Sequence, residues 1–177
     1  MKITRFPVAG ISCLVLSIAL FTTTSFSQEL SDAEIASVAV TANQIDIDYA
    51  KIAQERSKNA DVLKFAETMI NDHNAVIGMA VELVTKLKVT PKDNDVSKKL
   101  LADAEKTKKM LKKKSGSAFD KAYVDNEVAY HKAVIAAVEA VLIPQADNAE
   151  LKALLEKVMP ALRTHLGHAE MLQKKLK

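Results

Sequence analysis

Residues 65–83 read FAETMINDHNAVIGMAVEL, and their apolar positions repeat in alternating steps of three and four. Extended to both sides, the seam runs Val62, Ala66, Met69, His73, Val76, Ala80, Leu83 and Leu87. That spacing puts every member on one face of an α-helix, the face that a helical protein turns toward its core. His73 is the only polar residue on it, and it sits mid-helix.

The same test on the rest of the chain predicts four long helices. The first starts at Ser31, where SDAE supplies an N-cap and a glutamate three residues on, the capping-box spacing. It runs to about Arg56. The second starts at Asn59 or Asp61 and ends near Lys88, before the proline-bearing VTPKDND. The third long helix is expected from about Ala118, after the SGS break, to Ile143, and the fourth from Asp147 or Asn148 almost to the C-terminus. Pro160 should kink the fourth, because it removes a backbone hydrogen bond. No segment alternates with period two, so strands have no support.

Connection lengths set the topology. Helices one and two, and helices three and four, are joined by only a few residues, which predicts two antiparallel hairpins. Almost thirty residues separate the hairpins and include the lysine-rich amphipathic segment 96–113. Two hairpins joined by one long crossover is the ferritin-like arrangement of a four-helix bundle, so the fold class expected is all-α, ferritin-like, with an extra helix in the crossover. The lysine-rich segment reads as a solvated face, with contact to an anionic lipid or polyanion as the alternative.

The third helix carries the seam Val124, Val128, His131, Ile135, Val138 and Leu142. The fourth carries Leu151, Leu155, Val158, Leu162, His165, Ala169, Leu172 and Leu176. Each stripe is interrupted by one histidine. The first helix fits two registers. One is Ile35, Ala39, Ala42, Asp46, Tyr49 and Ala53; the other is Ile35, Val38, Ala42, Ile45, Tyr49 and Ile52, in which Asp46 and Asp48 only flank the core. Asp46, His73, His131 and His165 all lie near the midpoints of their helices, so a bundle brings them to one level.

Several buried imidazoles at one level are costly unless something satisfies them. A transition-metal ion does so, since neutral imidazole nitrogens and carboxylates are its usual ligands. The candidate ligands are His73, His131 and His165 with Asp46, then Glu127, one turn before His131, and His168, one turn beyond His165. Asp72 is expected to point elsewhere on its helix, in a cap or surface role. Iron, zinc and copper all suit such a set. Met69 and Met171 near the histidines would favour copper if they were ligands, but a methionine on a core stripe is ordinarily core. A metal-free, hydrogen-bonded polar layer that fixes helix register is the alternative.

Other chemistry lacks its motif. No Glu-x-x-His occurs, which disfavours a standard di-iron oxidase, and there is no HExxH or Gly-rich phosphate loop. A metal-dependent oxidoreductase or hydrolase stays open through a free coordination position.

The N-terminus, MKITRFPVAGISCLVLSIALFTTTSFSQEL, has two cations, an uncharged apolar run from Phe6 to Phe21 and a Ser-Phe-Ser pattern at 25–27. That is the layout of a signal peptide, residues 1–27, followed by a single domain over residues 28–177. The run is shorter than the roughly 20 residues a membrane-spanning helix prefers, so the expectation is export and cleavage, to the periplasm, rather than an anchor. Cys13, the only cysteine, lies within the run. Without Lys2 and Arg5 the charges nearly balance (25 cations and 22 anions in the full chain), which gives no argument for nucleic acid as a partner. The membrane is expected to matter only through the signal peptide.

The segments VLKFAETMINDH, SGSAFDKAYVDNEVAYHKAVI and LKALLEKVMPALRTHLGHAEML resemble the exported, ferritin-like family called domain of unknown function 4142. The resemblance spans roughly residues 35–175. It rests on Asp72 and His73, on Phe119, Asp120, Tyr123 and His131, and on Pro160 and His165. Family members often carry Glu near the middle of the first helix, where this chain has the shorter Asp46 and Asp48. The resemblance implies a helical bundle outside the cytoplasm and supplies no established activity.

Overall fold

The computed structural model describes residues 29–176. The expected leader, with Cys13, lies outside the described residues. The chain forms α1 (Asp32–Arg56), α2 (Ala60–Leu87), α3 (Asp95–Lys112) and α4 (Gly116–Ala137), then a π-helical turn (Val138–Leu142), α5 (Ile143–Gln145) and α6 (Ala149–Lys175). There is no strand among the described residues.

Local chemistry explains the helix ends. Glu34 accepts hydrogen bonds from the backbone N–H and the hydroxyl of Ser31, holding the start of α1. The Asn59 side chain accepts from the N–H groups of Asp61 and Val62, and Asn148 does the same for Glu150 and Leu151. Lys88, with φ 53, closes α2 in the left-handed conformation. Pro160, where a kink is expected, lies inside α6, which runs continuously from Ala149 to Lys175.

The bundle is two antiparallel hairpins, α1 with α2 and α4 with α6, joined by a long crossover that contains α3. Contacts fix the directions. Lys132 pairs with Glu170 and Gln173 with Asp125, so α4 and α6 are antiparallel. Glu34 pairs with Lys92 and Asp48 with Lys108, so the crossover climbs beside α1 in the same direction. The lysines of α3 make ion pairs such as Lys99–Asp103–Lys106 on its exposed side.

This placement of α3 resolves the two registers of α1. Ile45, Asp46, Ile47, Tyr49, Ile52 and Ala53 are all buried, because one side of α1 faces the bundle and another faces α3. Both seams are therefore partly right, and Asp46 is fully inside. Asp48 flanks the core and meets Lys108 at 3.2 Å.

The interior has two apolar clusters with the histidine level between them. Val62, Phe65, Met69, Phe119, Tyr123 and Val128 belong to one, at the end where the hairpin turn of α1 and α2 lies. Ile35, Val38, Val138, Leu142, Leu151 and Leu155 belong to the other. The two ends pack differently. The buried residues of α2 are Val62, Phe65, Ala66, Met69 and His73, and none follows His73. Val76, Ala80 and Leu83, on the same seam, instead line a cavity of about 900 Å³ between the helices.

Candidate metal centre

His73, His131 and His165 come from α2, α4 and α6 and form a nearly equilateral group. Their ring centroids are 5.8, 5.3 and 5.5 Å apart. Each brings one ring nitrogen within 4.8 Å of the others. Asp46 of α1 reaches the same point: its Oδ2 is 3.4 Å from His73 Nε2 and 3.5 Å from His131 Nε2. All four side chains are buried.

The hydrogen bonds on the far side of each ring assign the protons. Asn43 donates its Nδ2 to the Ala39 carbonyl at 2.8 Å, so its Oδ1 is the atom 2.7 Å from His73 Nδ1. An oxygen there accepts, so Nδ1 carries the proton and Nε2 presents its lone pair inward. His131 Nδ1 lies 3.0 Å from the Glu127 carbonyl, which only accepts, so His131 Nε2 is also the free nitrogen. His165 is reversed: its Nε2 donates to Asp72 Oδ2 at 2.8 Å, which leaves Nδ1 unprotonated. Three acceptors outside the cluster thus aim three lone pairs into it, as acceptors behind metal-ligating histidines do.

Those inward atoms have no hydrogen-bond partner. His73 Nε2, His131 Nε2, His165 Nδ1 and both carboxylate oxygens of Asp46 are buried and unsatisfied among the described residues. Such groups are rare, since each costs about 1–3 kcal/mol when left unpaired. A cation at their centre fits the donor set and would satisfy all of them.

The electrostatics agree with that fit. Burial pulls His73 down to about 3, with His131 and His165 adding to the effect. Burial also pulls His131 down to about 4, so both rings are neutral at pH 7, the form that binds metal. Burial raises Asp46 from 3.8 to about 8. It also raises Glu127 well above its ordinary 4.5, with the Asp46 charge contributing. The centre without a cation therefore disfavours its own carboxylates as anions, and a divalent ion reverses the sign.

Glu127 is fully buried beside His131, with Oε2 3.6 Å from His131 Nδ1. Asp46, Glu127 and His131 make a second group with ligand atoms within 4.8 Å of one another, sharing His131 with the first. His168 is exposed and belongs to neither group. Met171 is 53% exposed and Met69 packs in the apolar cluster, so neither thioether is at the centre.

Asp72 is exposed and off the seam, as expected, but sequence reasoning missed its bond to His165. The residue next to His73 points away from its own helix's seam, but toward the neighbouring α6, where it holds His165. It also passed over Asn43 and Tyr130. Asn43 lies three residues, about one turn, before Asp46, on the side of α1 that faces α2. Tyr130 packs edge-on against Tyr49 and donates to the Ala42 carbonyl at 2.9 Å. The only signal for either was adjacency to a seam residue.

A search of curated proteins finds no match. Among solved structures the chain is similar to "CopM in the Cu(II)-bound form", with a TM-score of 0.63 and 11% identity. The similarity covers 84% of this chain and 99% of that one, and it supports the helical-bundle fold. The family model described as "Domain of unknown function (DUF4142)" matches residues 21–172, and the chain belongs to that family.

Proposed function

We propose that the chain is an exported helical-bundle protein that holds one transition-metal ion in its core and serves in metal handling outside the cytoplasm. His73 Nε2, His131 Nε2 and His165 Nδ1 are the nitrogen ligands, Asp46 is the carboxylate, and Glu127 is the reserve carboxylate behind His131. The observation that carries this reading is the set of three outer acceptors, Asn43, the Glu127 carbonyl and Asp72, which hold three buried lone pairs toward one point. Three neutral imidazoles with a carboxylate suit zinc, copper(II) and iron(II). The copper(II) in the similar solved structure makes copper the first ion to test. Export rests on the cations, apolar run and Ser-Phe-Ser of the N-terminus.

The test is elemental mass spectrometry on protein expressed from its full sequence and purified without an affinity tag. Near-stoichiometric metal is expected, lost in His73→Ala, His131→Ala and His165→Ala and kept in His168→Ala. No metal in the parent, even after incubation with copper, zinc, iron and manganese, would leave a hydrogen-bonded polar layer as the explanation. Cell fractionation checks export: the protein should be released with the periplasmic contents.

A second reading follows from the position of the centre. His73, His131, His165 and Asp46 form part of the cavity wall, so an ion bound there is open to a small molecule on that side. A Lewis-acid or redox enzyme needs that access. Turnover that tracks metal content would favour it.

A further inference from the structure

The cavity above the histidines asks for its own explanation. Protein interiors close-pack, and voids larger than a water molecule are few. This one, of about 900 Å³, has the size of a ligand site rather than a packing defect. Between the level of His165 and that of Leu151 it extends for roughly 20 Å along α6, at 1.5 Å per residue. Its walls are aliphatic, with Leu83, Val134, Val138 and Leu155 typical. Tyr130, near the floor, is the one aromatic residue of the wall besides the histidines among the described residues, so a flat ring finds few partners to stack on. A flexible hydrocarbon chain fits such walls, and water does not.

The charge pattern selects the other end of that ligand. Among the described residues, Lys157 is the only lysine or arginine that lines the cavity, and it is exposed at the rim. Its Nζ reaches Met79 Sδ of α2 at 3.6 Å, from α6 across to the facing helix. A thioether is a weak acceptor, and the ammonium there has no carboxylate in reach among the described residues. The acidic members of the wall are Asp46, at the floor, and Asp72, already bonded to His165. Asp72 lies roughly 10 Å along α2 from Met79.

We propose that the cavity binds a single-chain amphiphile with an anionic head, a long-chain fatty acid in chemical class, with its carboxylate on Lys157 and its chain in the aliphatic hollow above the histidine layer. The site goes beyond the metal reading and does not depend on it.

Equilibrium dialysis with palmitate tests the idea, with hexadecanol as the uncharged chain and butyrate as the head without a chain. The protein is the purified product of the full sequence, before and after chelation. Saturable palmitate binding is expected, unaffected by the chelator, with no binding of butyrate. Lys157→Gln should weaken palmitate about tenfold and leave hexadecanol unchanged. Ala80→Trp and Val134→Trp, which fill the hollow, should each weaken both ligands tenfold or more with the helical circular dichroism retained.

Absence of saturable palmitate binding to the folded parent would overturn the proposal. So would unchanged affinity in both tryptophan variants. Loss of binding on chelation would put the head on the metal instead of Lys157 and overturn the placement. A dimer in sedimentation that Ala80→Trp dissociates would mean that a second copy covers the hollow, and would overturn it too. Metal content measured on the same samples keeps the two readings apart.

Discussion

Asp72 and His165 stand 93 residues apart in sequence, yet Asp72 Oδ2 accepts from His165 Nε2 at 2.8 Å. The carboxylate is half exposed while the ring is buried, so the bond ties the inside of α6 to the surface of α2. It also decides which nitrogen of His165 faces the centre. Asp72→Asn should therefore weaken metal binding by about 10–100-fold, the usual effect of losing an outer partner of a ligand. Stability should barely change. Competition with a chelator of known affinity gives the first quantity and urea denaturation the second.

Asn43 plays the same part for His73 from a more buried place. Asn43→Ala leaves the His73 Nδ1 proton without an acceptor, and should cost about 1–3 kcal/mol of stability besides weakening the metal. Denaturation of the metal-free protein isolates the first effect.

The pH dependence should take opposite signs with and without metal. Asp46 titrates at 3.8 when unfolded and at about 8 in the fold. Between these values the unfolded chain loses a proton that the native chain keeps, so native stability falls as pH rises. His73 and His131, lowered to about 3 and about 4, act below 6.5, where the unfolded chain gains protons that the native one refuses. From 6.5 to 8 the histidine effect fades as the unfolded imidazoles lose their protons, and the carboxylates take over. The metal-free protein should lose about 1.4 kcal/mol per pH unit there from Asp46, and more with Glu127. Metal affinity should rise by up to tenfold per unit over the same window, because binding expels the Asp46 proton. Denaturation and chelator competition at pH 6.5, 7.25 and 8 check both slopes. Asp46→Asn should flatten the first and abolish most of the second.

Away from the centre, Phe119 is fully buried and stacks on Tyr123 with ring centroids 6.2 Å apart. Phe119→Ala should destabilise the protein by about 3–5 kcal/mol through lost burial and a residual hole. Metal stoichiometry at low temperature should survive. Thermal unfolding and elemental analysis of one sample decide both.

The level of the histidines was legible because helical periodicity converts spacing into direction, and a lone imidazole on an aliphatic stripe stands out. Asp46 was harder. Its helix is covered from two sides, so periodicity along α1 could not separate the face toward the bundle from the face toward α3. The bond from His165 to Asp72 escaped for the same kind of reason: a single seam shows which way a helix faces inward, but not which neighbour flanks it. The π-helical turn at Val138–Leu142 left no trace in the spacing of apolar residues, which an extra residue per turn merely shifts. Nor did the hollow. Val76, Ala80 and Leu83 continue the stripe of Met69 without a break, and only the distance between helices shows that one end packs and the other gapes.

That contrast between the two ends has a kinetic side. Val62, Ala66 and Met69 of α2 are wholly enclosed, while the same helix beyond His73 has no enclosed residue at all. Local opening costs least where few apolar contacts are broken. Amide hydrogens around Ala80 and Leu83 should thus exchange faster than those around Ala66 and Met69, within one unbroken helix. The imidazoles stand at the seam between the reluctant half and the yielding one. If the centre holds an ion as proposed, that ion would come and go by fraying of the hollow end, while the closed end keeps the chain folded throughout.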